Sequence, residues 1–178
     1  MSDTDALRVA DLPQTAPTLF DLAPGAEARA ALAGDLGLSA LRKLRFDGRI
    51  TASGKRDWLL EGHLGATVVQ PCVVTLEPVT TRIDTRVRRL FLARMPGTET
   101  DEAEMPDDDS VEALGAWINP ASVMAEALAL ALPLYPRKEG AELSEAVFTE
   151  PGKVPLRDKD TRPFAGLAGL RDALKKDS

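Results

Sequence analysis

Between residues 41 and 94 the chain alternates apolar and polar side chains with a period of two, and this pattern constrains the fold more than anything else in the sequence. Leu44, Phe46 and Ile50 alternate with Lys43, Arg45, Asp47 and Arg49. After Ser53-Gly54-Lys55, which has turn composition, Trp58, Leu60, Leu64, Ala66 and Val68 alternate with Asp57, Glu61, His63, Thr67 and Val69. A third run sets Val79, Ile83, Val87 and Phe91 against Arg82, Asp84, Arg86 and Arg88. Such a period marks strands with one face buried and one in water. Three in succession with short connections predict an antiparallel meander. Gly48, Gly62 and Gly65 could ease a bend that curls the sheet toward a barrel.

The flanks read differently. Thr18 to Leu22 forms a short strand pattern, and an Ala-rich helix follows from Pro24, ending at Gly34 or Gly37. Asn119-Pro120 is a cap and first-turn pair. From there Val123, Met124, Ala127, Leu128, Ala131 and Leu132 keep helical spacing until Pro133 stops the run. Phe164, Leu167, Leu170 and Leu174 make one stripe on a short C-terminal helix within 162–178. These elements predict an α+β fold in a single domain over 1–178, the 119–132 helix covering the sheet. Residues 96–118 read as an acidic, flexible insertion, with eight acidic and no basic side chains.

A length of 178 residues suits one domain with a core of its own. No apolar stretch is long enough to span a bilayer as a helix, and the acidic first residues do not read as a signal peptide. One Cys excludes an internal disulfide and fits a reducing compartment, so a cytoplasmic location is expected. The net charge of −6 is uneven: residues 41–95 hold eleven basic and five acidic side chains. A local excess of cations can bind an anion despite an acidic average, because salt screens charges beyond about 10 Å.

Few residues suggest chemistry. Cys72 and His63 are the only Cys and His, and two ligands cannot close a zinc site, so no metal is expected. Cys72 as a nucleophile would need a positioned base, which nothing in the spacing supplies. Gly34-Asp-Leu-Gly37 lacks the Lys and the spacing of a phosphate loop, and the acidic run lacks the order of a calcium loop. Lys43, Arg45 and Arg49 share one side of the first long strand, and Arg82, Arg86 and Arg88 share one side of the third. That set is either the solvated side of a sheet or a phosphate-binding face, with Asp57, Glu61 and His63 between to moderate it. Phe164, Leu167 and Leu170 either fasten a terminal helix to its own core or dock a partner.

Three stretches carry a resemblance: Cys72-Val-Val-Thr-Leu-Glu-Pro78, Leu128-Ala-Leu-Ala-Leu-Pro133-Leu-Tyr-Pro136 and Arg162-Pro-Phe-Ala-Gly-Leu167. In that order, and with Glu126 ahead of the second, they resemble the bacterial YceD family of large ribosomal RNA subunit accumulation proteins. The resemblance covers about 41–178. It implies a part in ribosome biogenesis, with ribosomal RNA or a large-subunit assembly intermediate as partner, and brings no catalytic residue and no cofactor. Many YceD-like sequences have Cys-x-x-Cys at 72–75, which looks like a zinc site; here the second position is Thr75. The expectation is a non-enzymatic factor. The alternatives are an adaptor docking through its C-terminal stripe and, more remotely, a hydrolase using Cys72.

Overall fold

The computed structural model describes residues 6–94 and 110–141. In chain order the elements are β1 (Leu7–Arg8), β2 (Thr18–Leu22), α1 (Ala26–Asp35), β3 (Ala40–Ser53), β4 (Asp57–Pro71), β5 (Pro78–Leu92), β6 (Val111–Ala113), β7 (Trp117–Ile118) and α2 (Pro120–Ala131). Five strands form one sheet in the order β2-β3-β4-β5-β6. The first three pairings are antiparallel and β5 with β6 is parallel. This is the α+β meander expected from the period of two. The sheet is open rather than a barrel: β2 and β6, at its ends, do not pair with each other.

The register explains the alternation. Ile50 pairs with Leu60, Phe46 with Leu64 and Leu44 with Ala66, while Leu60 pairs with Arg89 and Ala66 with Ile83. These rows form the inner face, which α2 covers with Val123, Met124 and Leu128 to close the core. A bulge between Leu41 and Lys43 takes up Arg42, so that Leu41 and Leu44 both reach that core. Gly48 and Gly62 pair directly on the inner face. A Cβ on Gly62 would meet the Phe46 ring at 2.6 Å, and one on Gly48 would meet the Glu61 carbonyl oxygen and the Phe20 ring. The two glycines thus make room for Phe20 and Phe46, whose ring centroids lie 5.0 Å apart.

α2 begins as its sequence dictates. The Asn119 side-chain oxygen accepts from the N–H groups of Ala121 and Ser122, at 3.0 and 3.4 Å, with Pro120 in the first turn. Residues 111–118, part of the stretch read from sequence as acidic insertion, contain two short strands. β6 adds to β5, and β7 pairs with β1. The remainder of that insertion and the C-terminal stripe lie outside the described residues.

Arg89 sits on the inner face of β5, buried, and reaches Glu126 of α2 at 2.8 Å and Glu112 of β6 at 3.7 Å. Both carboxylates are half exposed. Removing either partner of the Arg89–Glu126 pair therefore has unequal effects. Glu126→Ala leaves a buried guanidinium short of its closest partner and should destabilise by about 1–3 kcal/mol, below the range for fully buried pairs. Arg89→Met replaces the charge with apolar volume and leaves only hydrated carboxylates, so denaturant unfolding should show the smaller loss for it.

Candidate functional site

The outer face of the sheet is built by the same register. Arg49, Glu61 and Arg88 form one row across β3, β4 and β5; Asp47, His63 and Arg86 form the next; Lys43, Thr67 and Arg82 form another. With Arg45 beside Gly65, all six cations singled out in the sequence stand on one face, with β4 between the two sets. The strand pairing that was only conditional from sequence is the one observed.

The carboxylates on that face divide the cations into two classes. Arg45 makes a two-pronged contact with Asp21 of β2, at 3.0 and 2.9 Å, and lies 3.4 Å from Asp47. Those two carboxylates hold its guanidinium above its ordinary pKa, the Asp21 hydrogen bond first. Arg49 binds Glu61 at 2.9 Å. Arg82 lies over the bare backbone of Gly65 and reaches Asp84 at 3.4 Å, while His63 Nε2 is 2.6 Å from the same carboxylate. Lys43, Arg86 and Arg88 are exposed and make no ion pair with any described residue. Alternation places Asp47 and Asp84 on this face, but which cation each carboxylate meets is set by the register, and Asp21 joins them from β2. Asp21 is 24 residues from the arginine it binds.

Arg86, Arg88, Arg49 and His63 line a shallow trough of about 800 Å³ on this face. Phe20, Phe46, Trp58 and Phe91 all stand on the inner face. Phe20 also borders the trough from the β2 side, and apart from it the described outer face has no Phe, Tyr or Trp on which a base could stack. What it offers an anion is charge and donor groups.

Cys72 lies elsewhere, in the turn between β4 and β5, fully buried. Its Sγ accepts from the N–H groups of Val74, Thr75 and Lys138, at 3.4, 3.5 and 3.4 Å. Around it the Val73 N–H donates to the Pro136 carbonyl at 2.9 Å, Gln70 Nε2 donates to that of Pro133 at 3.3 Å, and Lys138 Nζ pairs with Glu77 at 2.8 Å. That pair holds the Glu77 carboxyl below its ordinary range, chiefly through the hydrogen bond. The 72–78 and 128–136 stretches of the sequence thus meet in space and are laced together. Lys138, which closes the cluster, was not singled out from sequence; a backbone N–H leaves no mark there.

The residues present do not fit a zinc ion. Cys72 is the one sulfur, position 75 supplies a neutral hydroxyl, and three N–H groups already occupy the thiol. His63 is nine strand residues away, about 30 Å along the chain, which also removes it as a base for Cys72. Hydrogen bonds tie this corner instead.

Those bonds favour the thiolate. The Thr75 hydroxyl, followed by the N–H groups of Lys138 and Thr75, lowers the Cys72 pKa from 9.0 to about 6, against the opposing effect of burial. Because folding depresses this pKa, its contribution to stability is full above pH 9, declines as pH falls and is gone below about 6. The stability difference between the protein and a Cys72→Ser variant should shrink over that window. Thr75→Val should move the thiolate absorbance titration to higher pH.

Three of the six cations and both laced segments fall within one stretch of recognisable relationship. Residues 60–171 match the family described as large ribosomal RNA subunit accumulation protein YceD, a span that takes in β4 from Leu60 onward, β5, β6, β7 and α2. No curated protein and no solved structure matches the chain significantly. The match covers more than half of the sequence, with the motifs at 72–78 and 128–136 inside it, and the chain belongs to the YceD family.

Proposed function

We propose that the protein is a non-enzymatic factor in the accumulation of large-subunit ribosomal RNA, and that it engages ribosomal RNA, or a large-subunit particle in assembly, through phosphates on the outer face of its sheet. The family description supports a part in that accumulation. The observation that carries the second is the trio Lys43, Arg86 and Arg88, exposed on one face and left without an ion pair among the described residues. Cations already matched by carboxylates gain little from a phosphate, whereas unmatched ones gain the release of condensed counterions. With Phe20 the one ring bordering the described trough, and packed on Phe46, recognition would follow backbone charge and shape rather than base sequence. The non-enzymatic reading is supported by the state of Cys72, which is buried and remote from His63.

Binding to ribosomal RNA should weaken steeply as salt rises. Arg86→Glu with Arg88→Glu should weaken it most, and losing one phosphate contact should reduce the log–log salt slope by about one unit for duplex RNA. Arg82→Glu should do less, because Asp84 already occupies that guanidinium. Co-sedimentation with large-subunit particles, with and without ribonuclease, separates this reading from an adaptor role. Equal affinity of the Arg86/Arg88 double variant and the parent at one salt concentration, with the fold intact, would sink it.

A further inference from the structure

β5 is paired unequally on its two sides. β4 runs beside it along nearly its whole length, from Trp58–Phe91 to Pro71–Pro78. β6 pairs only with Leu90, Phe91 and Leu92. Among the described residues no strand lies against that second edge at 78–89. Alternate N–H and C=O groups along it point away from β4, and a long edge of this kind is a template for another chain. At the sheet's other side β2 is only five residues, bounded by Pro17 and Pro24, and covers β3 at 46–50; the part of β3 left beside it at 40–45 is six residues and is broken by the bulge at Arg42. In β5 the only proline is its first residue, Pro78.

The two sides of this edge specify what it can accept. Toward the inner face, β5 at 85–89 forms one wall of an open groove of about 350 Å³, and Ala127, Leu130 and Ala131 of α2 form the other. Leu130 is 77% exposed there. Toward the outer face stand Arg86 and Arg88, without ion pairs among the described residues. Side chains of an added strand would alternate between these environments in step with β5. Those beside Arg86 and Arg88 gain from being carboxylates, and those between gain from being apolar. A second copy of β5 would instead bring arginines together, which is unfavourable. The protein already contains a short precedent: β6 adds at the end of the same edge, the Leu90 N–H donating to the Ser110 carbonyl at 2.7 Å, and its Glu112 approaches Arg89 at 3.7 Å.

We propose that the edge of β5 at 85–89, which no strand covers among the described residues, is a strand-addition site for an extended segment of a protein partner in which carboxylates alternate with apolar residues. Backbone hydrogen bonds would supply affinity and the alternation would supply specificity. The site goes beyond the RNA reading and does not rest on it. Because it uses Arg86 and Arg88, a bound segment and RNA would exclude one another.

The probe is a capped peptide of about seven residues alternating glutamate and valine, titrated into the full chain. Backbone amide shifts should change at 85–90 and on the Ala127–Leu130 side of α2. Methylating the peptide nitrogens that face β5 leaves every side chain in place but removes the ladder, and should weaken binding about tenfold or more. Arg86→Glu with Arg88→Glu should abolish binding of this peptide and create binding of its lysine–valine counterpart. Undiminished affinity of the methylated peptide, shifts confined to other surfaces, or no saturable binding up to about 1 mM would each overturn the proposal. Failure of the parent to bind RNA would leave it standing, provided the peptide binds as described.

Discussion

The register of β4 against its two neighbours is the constraint on which both faces depend. Side chains alternate with a period of two, so a slip of one residue would send Trp58, Leu60 and Leu64 into water and bring Glu61 and His63 into the core. The Gly48–Gly62 pair reinforces the alignment, because the Phe46 ring and the Glu61 backbone fit only where both Cβ atoms are missing. The same alignment decides which cation meets which carboxylate outside. The hydrophobic pattern that holds the core is therefore also what leaves Arg86 and Arg88 without an ion pair among the described residues.

A second level of order comes from two residues that break their local patterns. Arg89 interrupts the apolar side of β5, and Glu126 interrupts the apolar run of α2. Each is an anomaly by itself, and together they are one contact of 2.8 Å that fixes α2 against the sheet edge. A buried cation of this kind adds less to net stability than a well-packed side chain, but it penalises arrangements that leave it unpaired. The alternation read from sequence runs on to Phe91 and passes over Arg89. The doublet Arg88–Arg89 has one member on each face, and the inward member was detectable only as a charge in a core position with an opposite charge in the covering helix.

The fold was legible where local periodicity and capping chemistry agreed. The three long strands, the Asn119 cap and the Pro133 stop all appear as the sequence implies, because each depends on neighbours in the chain. β1 and β7 were not legible: two residues pair with two others more than a hundred positions away, and so short a run has no period to detect. The six cations were legible as a face, since alternation places them. Their inequality was not, since it depends on Asp21 from β2 and on which neighbour Asp84 and Glu61 select.

The Cys72 corner shows how a turn can keep its shape without the ligands that the resemblance leads one to expect there. A zinc ion stabilises such a corner by neutralising thiolates and crosslinking chain segments. Here the Thr75 hydroxyl and the three N–H donors around Sγ take the place of the first, favouring the charged form without neutralising it. Contacts between Val73 and Pro136, Gln70 and Pro133, and Lys138 and Glu77 do the second. Each is individually modest, about 0.5–1.5 kcal/mol for a neutral hydrogen bond. They act on the same two segments, however, and so hold the segment after α2 against the β4–β5 turn at one end of the sheet. Arg89 with Glu126 ties α2 itself to β5 from the other side. The outer face is thereby left to carry charge alone, because neither attachment of the covering segment draws on any residue that stands there.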